Sequence, residues 1–218
     1  HNEYEECAIK AQFLKQEAQD FDLFETMGWH PNEGIRYLDL HLKRLETSAR
    51  YFGFIYKEAD ILAAFEDLSD TVPQRVKLML SRQGAISVLA QPFHQQSQEI
   101  TLSFSEERVD RNNPMLFHKS TQRRFYERCL KSASSFEVLL INQDGDVTEG
   151  CFTNLFIKKD GILFTPALEC GLLPGILRQH FLDSGQAQEA RIQRNDVEEA
   201  DAVFIGNSLR GLMQARLI

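Results

Sequence analysis

Glu149 stands in Val147-Thr-Glu-Gly-Cys-Phe-Thr-Asn-Leu-Phe156, between the apolar runs Phe136–Ile141 and Asn154–Ile157. A carboxylate at the root of two strands is either paired or has work to do, because an isolated buried charge is costly. Lys119, in Phe117-His-Lys-Ser-Thr-Gln-Arg-Arg-Phe-Tyr126, follows a polar segment that reads as a linker. A lysine beside apolar residues at the mouth of a cleft can lose its proton and become an amine nucleophile. Taken alone it reads as a solvated lysine at a helix start, as most lysines are. Gly175-Ile-Leu opens a predicted helix with free backbone N–H groups and a dipole favourable to an anion. Gly206-Asn-Ser208, after a strand, adds a hydroxyl and another N–H, and Arg44 in His41-Leu-Lys-Arg-Leu adds a guanidinium. Singly these are common features: Pro-Gly and Gly-Asn punctuate many chains, and Arg44 fits the solvated face of a helix. Together they make one nucleophilic amine, one carboxylate and several anion donors.

The elements that must position these groups can be read from hydrophobic spacing. Residues Glu3 to Ala18 are rich in helix formers, and Phe21–Met27 alternates like a strand with Phe21, Leu23 and Glu25 on one face. Tyr37–Phe54 reads as an amphipathic helix with Gly53 as its stop, and Glu58–Leu68 as a second helix. Arg75–Leu80, Ala85–Ala90 and Glu99–Phe104 are strand candidates, and the polar Glu106–Pro114 reads as a linker between halves. Thr121–Ala133 then looks helical. The strand–turn–strand unit around Glu149 follows, with the turn signals Asn142-Gln-Asp-Gly145 and Asp160-Gly161. Leu173–Arg178 opens a helix with Pro174 near its first turn, and Asp201–Ile205 is a strand. No internal repeat or low-complexity tract interrupts this order, and each half mixes sheet and helix. The reading is an α+β protein with a cleft between a small half, 1–110, and a larger one, 115–218.

Composition narrows the function classes. A hydrophobic fraction of 43% and a charged fraction of 26% are ordinary for a globular chain of 218 residues. A net charge of −8 argues against a nucleic-acid binder. No apolar run approaches the roughly 20 residues that cross a bilayer, and no signal-peptide core opens the sequence. Cys7, Cys129, Cys151 and Cys170 lack metal-like spacing, so reduced thiols and a cytoplasmic location are expected.

A nucleophilic lysine, a carboxylate and phosphate donors are the parts of a pyridoxal 5'-phosphate site. At these residues the chain resembles the class IV aminotransferase family, the fold-type IV pyridoxal-phosphate enzymes. The resemblance runs in order through Phe24-Glu-Thr26, His41–Ala49, His118-Lys119 with Arg123 and Tyr126, Thr148-Glu149 with Thr153–Phe156, Gly175–Arg178 and Asn207-Ser208. Within the family, Cys170–Arg178 and Gly206–Gly211 are most similar to aminodeoxychorismate lyase-type domains. The chain departs from the family pattern in lacking the first hairpin before the early strand.

The resemblance implies a two-domain α+β fold with the cofactor in the interdomain cleft. It implies Lys119 as the Schiff-base lysine and proton carrier, and Glu149 as the partner of the pyridine nitrogen. Arg44, Gly175, Ile176, Leu177, Asn207 and Ser208 would hold the phosphate. Tyr126 is a candidate partner of the cofactor's phenolic oxygen, with a core tyrosine as the alternative. Thr26 would orient the lysine or a substrate carboxylate, with a structural strand threonine as the alternative. The implied reaction converts 4-amino-4-deoxychorismate to 4-aminobenzoate and pyruvate. Arg75, Lys77, Arg123 and Arg210 are candidates for the substrate carboxylates. The rival readings are a class IV aminotransferase acting on a branched-chain or D-amino acid, and a non-catalytic domain keeping the fold. A homodimer and a pairing with an aminodeoxychorismate synthase are also implied. His118 is expected to point away from Lys119, since strand neighbours face opposite ways.

Overall fold

The computed structural model describes residues 21–68, 71–94 and 99–218. The helix expected over Glu3–Ala18 and Cys7 lie outside the described residues. Strands β1 (Leu23–His30), β2 (Gly34–Ile35), β3 (Gln74–Leu80) and β4 (Ile86–Pro92) form an antiparallel sheet in the order β2-β1-β3-β4. The period-2 rule gives β1 two distinct faces. Leu23, Met27 and Trp29 bury against helix α1 (Leu38–Phe52), whose Leu42, Leu45 and Ala49 meet them with Val76, Leu78 and Leu80 of β3. Each such aliphatic side chain contributes about 1.5–3 kcal/mol by leaving water. Phe24 and Thr26 point the other way, into a cavity. Helix α1 stops where the sequence predicts. Gly53 adopts φ 71° and its N–H caps Ala49, the left-handed C-terminal stop that glycine takes without strain. The next helix, α2, spans only Glu58–Ala63, shorter than expected, and turns replace the rest.

The remaining strands are β5 (Thr101–Val109), β6 (Glu137–Asn142), β7 (Val147–Gly150), β8 (Asn154–Lys159), β9 (Ile162–Pro166), β10 (Gln188–Ala190), β11 (Ala202–Asn207) and β12 (Gly211–Leu217). They form one sheet in the order β10-β9-β8-β11-β12-β5-β6-β7. Strand β7 also pairs with β8, so six of them close into a ring around Leu102, Leu139, Leu155 and Ile205. The closing pair is Glu149 opposite Asn154, which places the carboxylate at the seam. The β8–β9 hairpin has the expected two-residue Asp160-Gly161 turn, with φ 53° and 80° at its centre.

Strand β5 departs from the sequence reading. It continues through Glu106–Val109, read as linker, and belongs to the second sheet through parallel pairing with β6 and β12. Residues 106–108 are exposed after a register shift, so their polarity hides the strand. Helix α3 covers Arg124–Lys131, α4 Ile176–Asp183 and α5 Arg194–Glu198. Among the described residues no helix is long and apolar enough to cross a membrane.

Candidate active site

A cavity of about 610 Å³ opens between the two sheets. Its lining includes Thr26, Arg44, Lys119, Tyr126, Glu149, Gly175, Ile176, Asn207 and Ser208. Of the residues expected from the sequence, Leu177 alone is not among them. Its side chain packs with Phe156 and Ala187 beneath the helix, leaving only its backbone N–H to face the helix mouth.

Lys119 is fixed by backbone pairing to the start of β1. Its carbonyl accepts from Phe24 N at 3.0 Å, Ser120 bridges Leu23, and Thr121 N donates to Asp22 O at 2.9 Å. The ammonium lies 4.8 Å from the centre of the Phe24 ring. Burial, reinforced by the nearby Arg44 and Arg123 charges, lowers its pKa to about 7 against the pull of Glu25 and Glu149. At neutral pH a large fraction is therefore free amine. His118 turns the opposite way, its Nδ1 2.9 Å from Ser48 Oγ and its ring against Phe52 and Tyr51. Burial drives its pKa down to about 4.

Glu149 shows the complementary shift. Burial raises its pKa to about 8, opposed by the Leu173 N–H, Arg123 and Lys119. Such a carboxyl holds a proton until a positive group arrives beside it. Arg123 donates to the Cys151 carbonyl and lies with its guanidinium 4.4 Å from the Tyr126 ring centre. Burial, aided by Glu149, raises the Tyr126 pKa and keeps it a neutral phenol.

The anion donors converge at the far end. Arg44 forms a bidentate pair with Glu25 (Nε–Oε1 2.8 Å, Nη2–Oε2 2.5 Å) and donates through Nη1 to the Pro174 carbonyl at 3.0 Å. It thus bridges the first sheet to the N-terminus of α4. The first bond of that helix is Gln179 N to Gly175 O, 2.8 Å, which leaves the N–H groups of Ile176 and Leu177 without intrahelical partners. Gly175 has φ −67°, so its backbone suits any residue. A Cβ there, however, would overlap the Asn154 amide oxygen, so the cradle requires glycine. Asn207 organises the next turn: Oδ1 accepts from Leu209 N and Arg210 N at 3.2 and 3.0 Å, and Nδ2 donates to Phe152 O at 3.2 Å. Ser208 donates to Thr26 O at 3.4 Å.

Glu25, His41 and Glu137 were not among the expected site residues. Burial alone would raise the Glu25 pKa, but Arg44 and His41 together lower it to about 2. His41 donates from Nδ1 to Glu25 Oε2 at 2.7 Å, and burial lowers its pKa and keeps it neutral. Glu137 accepts from Val138 N, Cys151 N, Phe152 N and Thr153 Oγ1, so it fixes the turn from which Arg123 and Asn207 hang. A Cβ on Gly150 would lie 2.7 Å from the Glu137 carboxyl carbon. A signal was present for Glu25, which shares its β1 face with Leu23 and Met27. Glu137 carried a similar signal, a charge second in the apolar run Phe136–Ile141, but nothing in the sequence shows what it meets.

The fold and these residues define a fold-type IV α+β enzyme. The model of the amino-transferase class IV family matches residues 22–218, and the chain belongs to that family. It is 27% identical over 212 residues to the "Putative aminodeoxychorismate lyase" of Schizosaccharomyces pombe, covering 92% of this chain and 91% of that protein. The crystal structure of a "Putative amino-acid aminotransferase" from Mesorhizobium loti superposes with a TM-score of 0.88 at 39% identity, over 91% of this chain and all (100%) of that one. A "Putative 4-amino-4-deoxychorismate lyase" from Legionella pneumophila gives a TM-score of 0.79 at 25% identity, over 90% of this chain and 82% of that one. The family is pyridoxal-phosphate dependent.

Proposed function

We propose that this chain is a pyridoxal-phosphate lyase that converts 4-amino-4-deoxychorismate to 4-aminobenzoate and pyruvate. The observation that carries the reading is the meeting, in one cavity, of a lysine with a depressed pKa, a carboxyl with a raised one and an anion cradle. The residues fit the cofactor: the N–H groups at the mouth of α4 lack intrahelical partners, and the Gly175 space would be filled by any Cβ. Bound there, pyridoxal phosphate would supply an aldehyde that captures amines and a ring that draws in electron density.

The protein's own part follows from the geometry. Arg44, the N–H groups of Ile176 and Leu177, and Ser208 would hold the phosphate, with Asn207 shaping the last turn. Glu149 would face the pyridine nitrogen and keep it protonated, ionising as it does so. Tyr126 would donate from its phenol, and Thr26 would orient the lysine or a substrate carboxylate, while its main-chain carbonyl accepts from Ser208. The Lys119 amine, displaced by the substrate amine, would remove the proton from the amine-bearing ring carbon. A homodimer, a cytoplasmic location and work beside an aminodeoxychorismate synthase belong to the same reading.

One observation favours a second reading: the 39% identical aminotransferase, matched over its whole length, supports amino transfer from an amino acid. Loading the protein with pyridoxal phosphate tests the shared core. A yellow protein bleached by borohydride, with the label on Lys119, is expected. A colourless mixture, or unchanged labelling in Lys119→Ala, would remove the assignment.

A further inference from the structure

Helix α1 carries His41, Arg44, Ser48 and Phe52 at spacings of three and four, so they line one face of it. The first two end on the Glu25 carboxylate, and Arg44 also reaches the Pro174 carbonyl at the anion cradle. One turn further on, about 6 Å along the axis, Ser48 Oγ lies 2.9 Å from His118 Nδ1. The His118 ring centre is 4.6 Å from that of Tyr51 and 4.7 Å from that of Phe52. The next residue in the chain is Lys119. One rigid helix therefore touches both the phosphate end of the cavity and the segment that carries its amine.

These contacts close a circuit. The Lys119 carbonyl accepts from Phe24 N at 3.0 Å, and Phe24 is joined to Glu25, whose carboxylate holds Arg44. The helix joins Arg44 to Ser48, Ser48 meets His118, and His118 is joined to Lys119. Beyond Lys119 the chain is tied to β1 through Thr121 N and Asp22 O. Before it, the side chain that anchors the segment to α1 is His118. Burial keeps this imidazole neutral, with a pKa of about 4, so the link does not switch near neutral pH. The Lys119 pKa is set by burial, Arg44, Glu25, Arg123 and Glu149 rather than by His118. What His118 supplies is geometry.

We infer that His118 is a positioning residue: through Ser48 and the two rings it ties Lys119 to the helix that carries Arg44. It thereby sets the distance between the capturing amine and the bound phosphate. This rests on the reading of Lys119 as the amine that captures the cofactor aldehyde. An aldehyde anchored by its phosphate then arrives where the amine already stands, the alignment that makes an encounter between two held groups fast. An aldehyde without the phosphate is not anchored by Arg44 and gains little from that alignment.

Stopped-flow absorbance of the cofactor-free chain, mixed with pyridoxal 5'-phosphate or with phosphate-free pyridoxal, tests this. Wild type should capture the phosphate ester faster. His118→Ala should lower that preference about tenfold or more, the scale on which a small misplacement of a reacting group acts. The pH midpoint of capture should stay near 7. Ser48→Ala removes the hydrogen bond and keeps the rings. It should lower the preference in the same direction, and the double variant should lose less than the two single losses combined. Where His118→Ala does not fold, Ser48→Ala decides alone. Val203→Ala, which loosens the ring of the second sheet, should lower stability and leave the preference where it is. An unchanged preference in His118→Ala, or an equal fall in Val203→Ala, would overturn the positioning role. So would a shifted midpoint with an unchanged preference, which would make His118 part of the electrostatic surroundings of the amine instead. If wild type captures neither compound, the reading of Lys119 itself fails and the positioning role falls with it.

Discussion

Replacing Glu25 by glutamine should destabilise the protein severely, though the change keeps the shape of the side chain. Glu25 is 1% exposed and carries both the bidentate pair with Arg44 and the bond from His41 Nδ1. Two routes give the size of the effect. Burial would raise the Glu25 pKa, but Arg44 and His41 bring it to about 2 from 4.5, a depression that corresponds to about 3 kcal/mol of stability. Removing one partner of a buried ion pair costs about 3–5 kcal/mol, because the other charge is left uncompensated. The two agree. For a chain of this size such a loss lowers Tm by roughly 6–20 °C.

The linkage has a definite sign. A depressed carboxylate pKa gives stability that is present above the unfolded value of 4.5 and lost as pH falls toward 2. Urea unfolding of wild type should therefore lose stability steeply across that window, and Glu25→Gln should lack that part of the slope. Inorganic phosphate adds a second arm: it can replace Glu25 as counter-ion to Arg44, so the variant should gain more stability from phosphate than wild type does. A cost below about 1 kcal/mol at pH 7, smaller than the net worth of even one charged hydrogen bond, would refute the reasoning. So would an unchanged acid slope.

Glu149→Gln should still bind pyridoxal phosphate yet lose most turnover, because an amide cannot hold the pyridine nitrogen protonated; full activity would leave Glu149 a structural residue. Gly175→Ala meets Asn154 with no backbone strain to confuse the result, and should cost about 1–3 kcal/mol of stability. It should also weaken binding of pyridoxal phosphate more than that of phosphate-free pyridoxal, and equal weakening of both would detach the glycine from the anion cradle. The rate of cofactor capture by Lys119, followed by stopped-flow absorbance, should rise with pH through about 7, as the ammonium becomes free amine, and level off above it. A midpoint near the ordinary lysine value would show that burial does not depress it.

Much of this site was legible in the sequence because its parts carry local signals. Gly53 and the Asp160-Gly161 turn announce themselves by the left-handed conformations that only a few residues accept. Gly175 and Gly206-Asn207 mark backbone that approaches something closely. Glu149 is a charge in an apolar setting. What the sequence hides is tertiary. Glu25 and Arg44 meet only because α1 packs across β1, and nothing in the spacing from 25 to 44 says so. Strand β12 follows the turn at Gly206–Ser208, and no reading of that turn predicts a further strand pairing with both β11 and β5. Strand β5 is polar where it is exposed and so reads as a linker. Glu137 commits its carboxyl oxygens to the N–H groups of Val138, Cys151 and Phe152, partners that no residue pattern displays.

The release of pyruvate tests the account most directly, since it needs cofactor, lysine and substrate in place together. Protein loaded with pyridoxal phosphate should release pyruvate and 4-aminobenzoate in equal amounts from 4-amino-4-deoxychorismate, and Lys119→Ala should release neither. Absence of pyruvate from a loaded protein that instead transfers the amino group of a D- or branched-chain amino acid would contradict it.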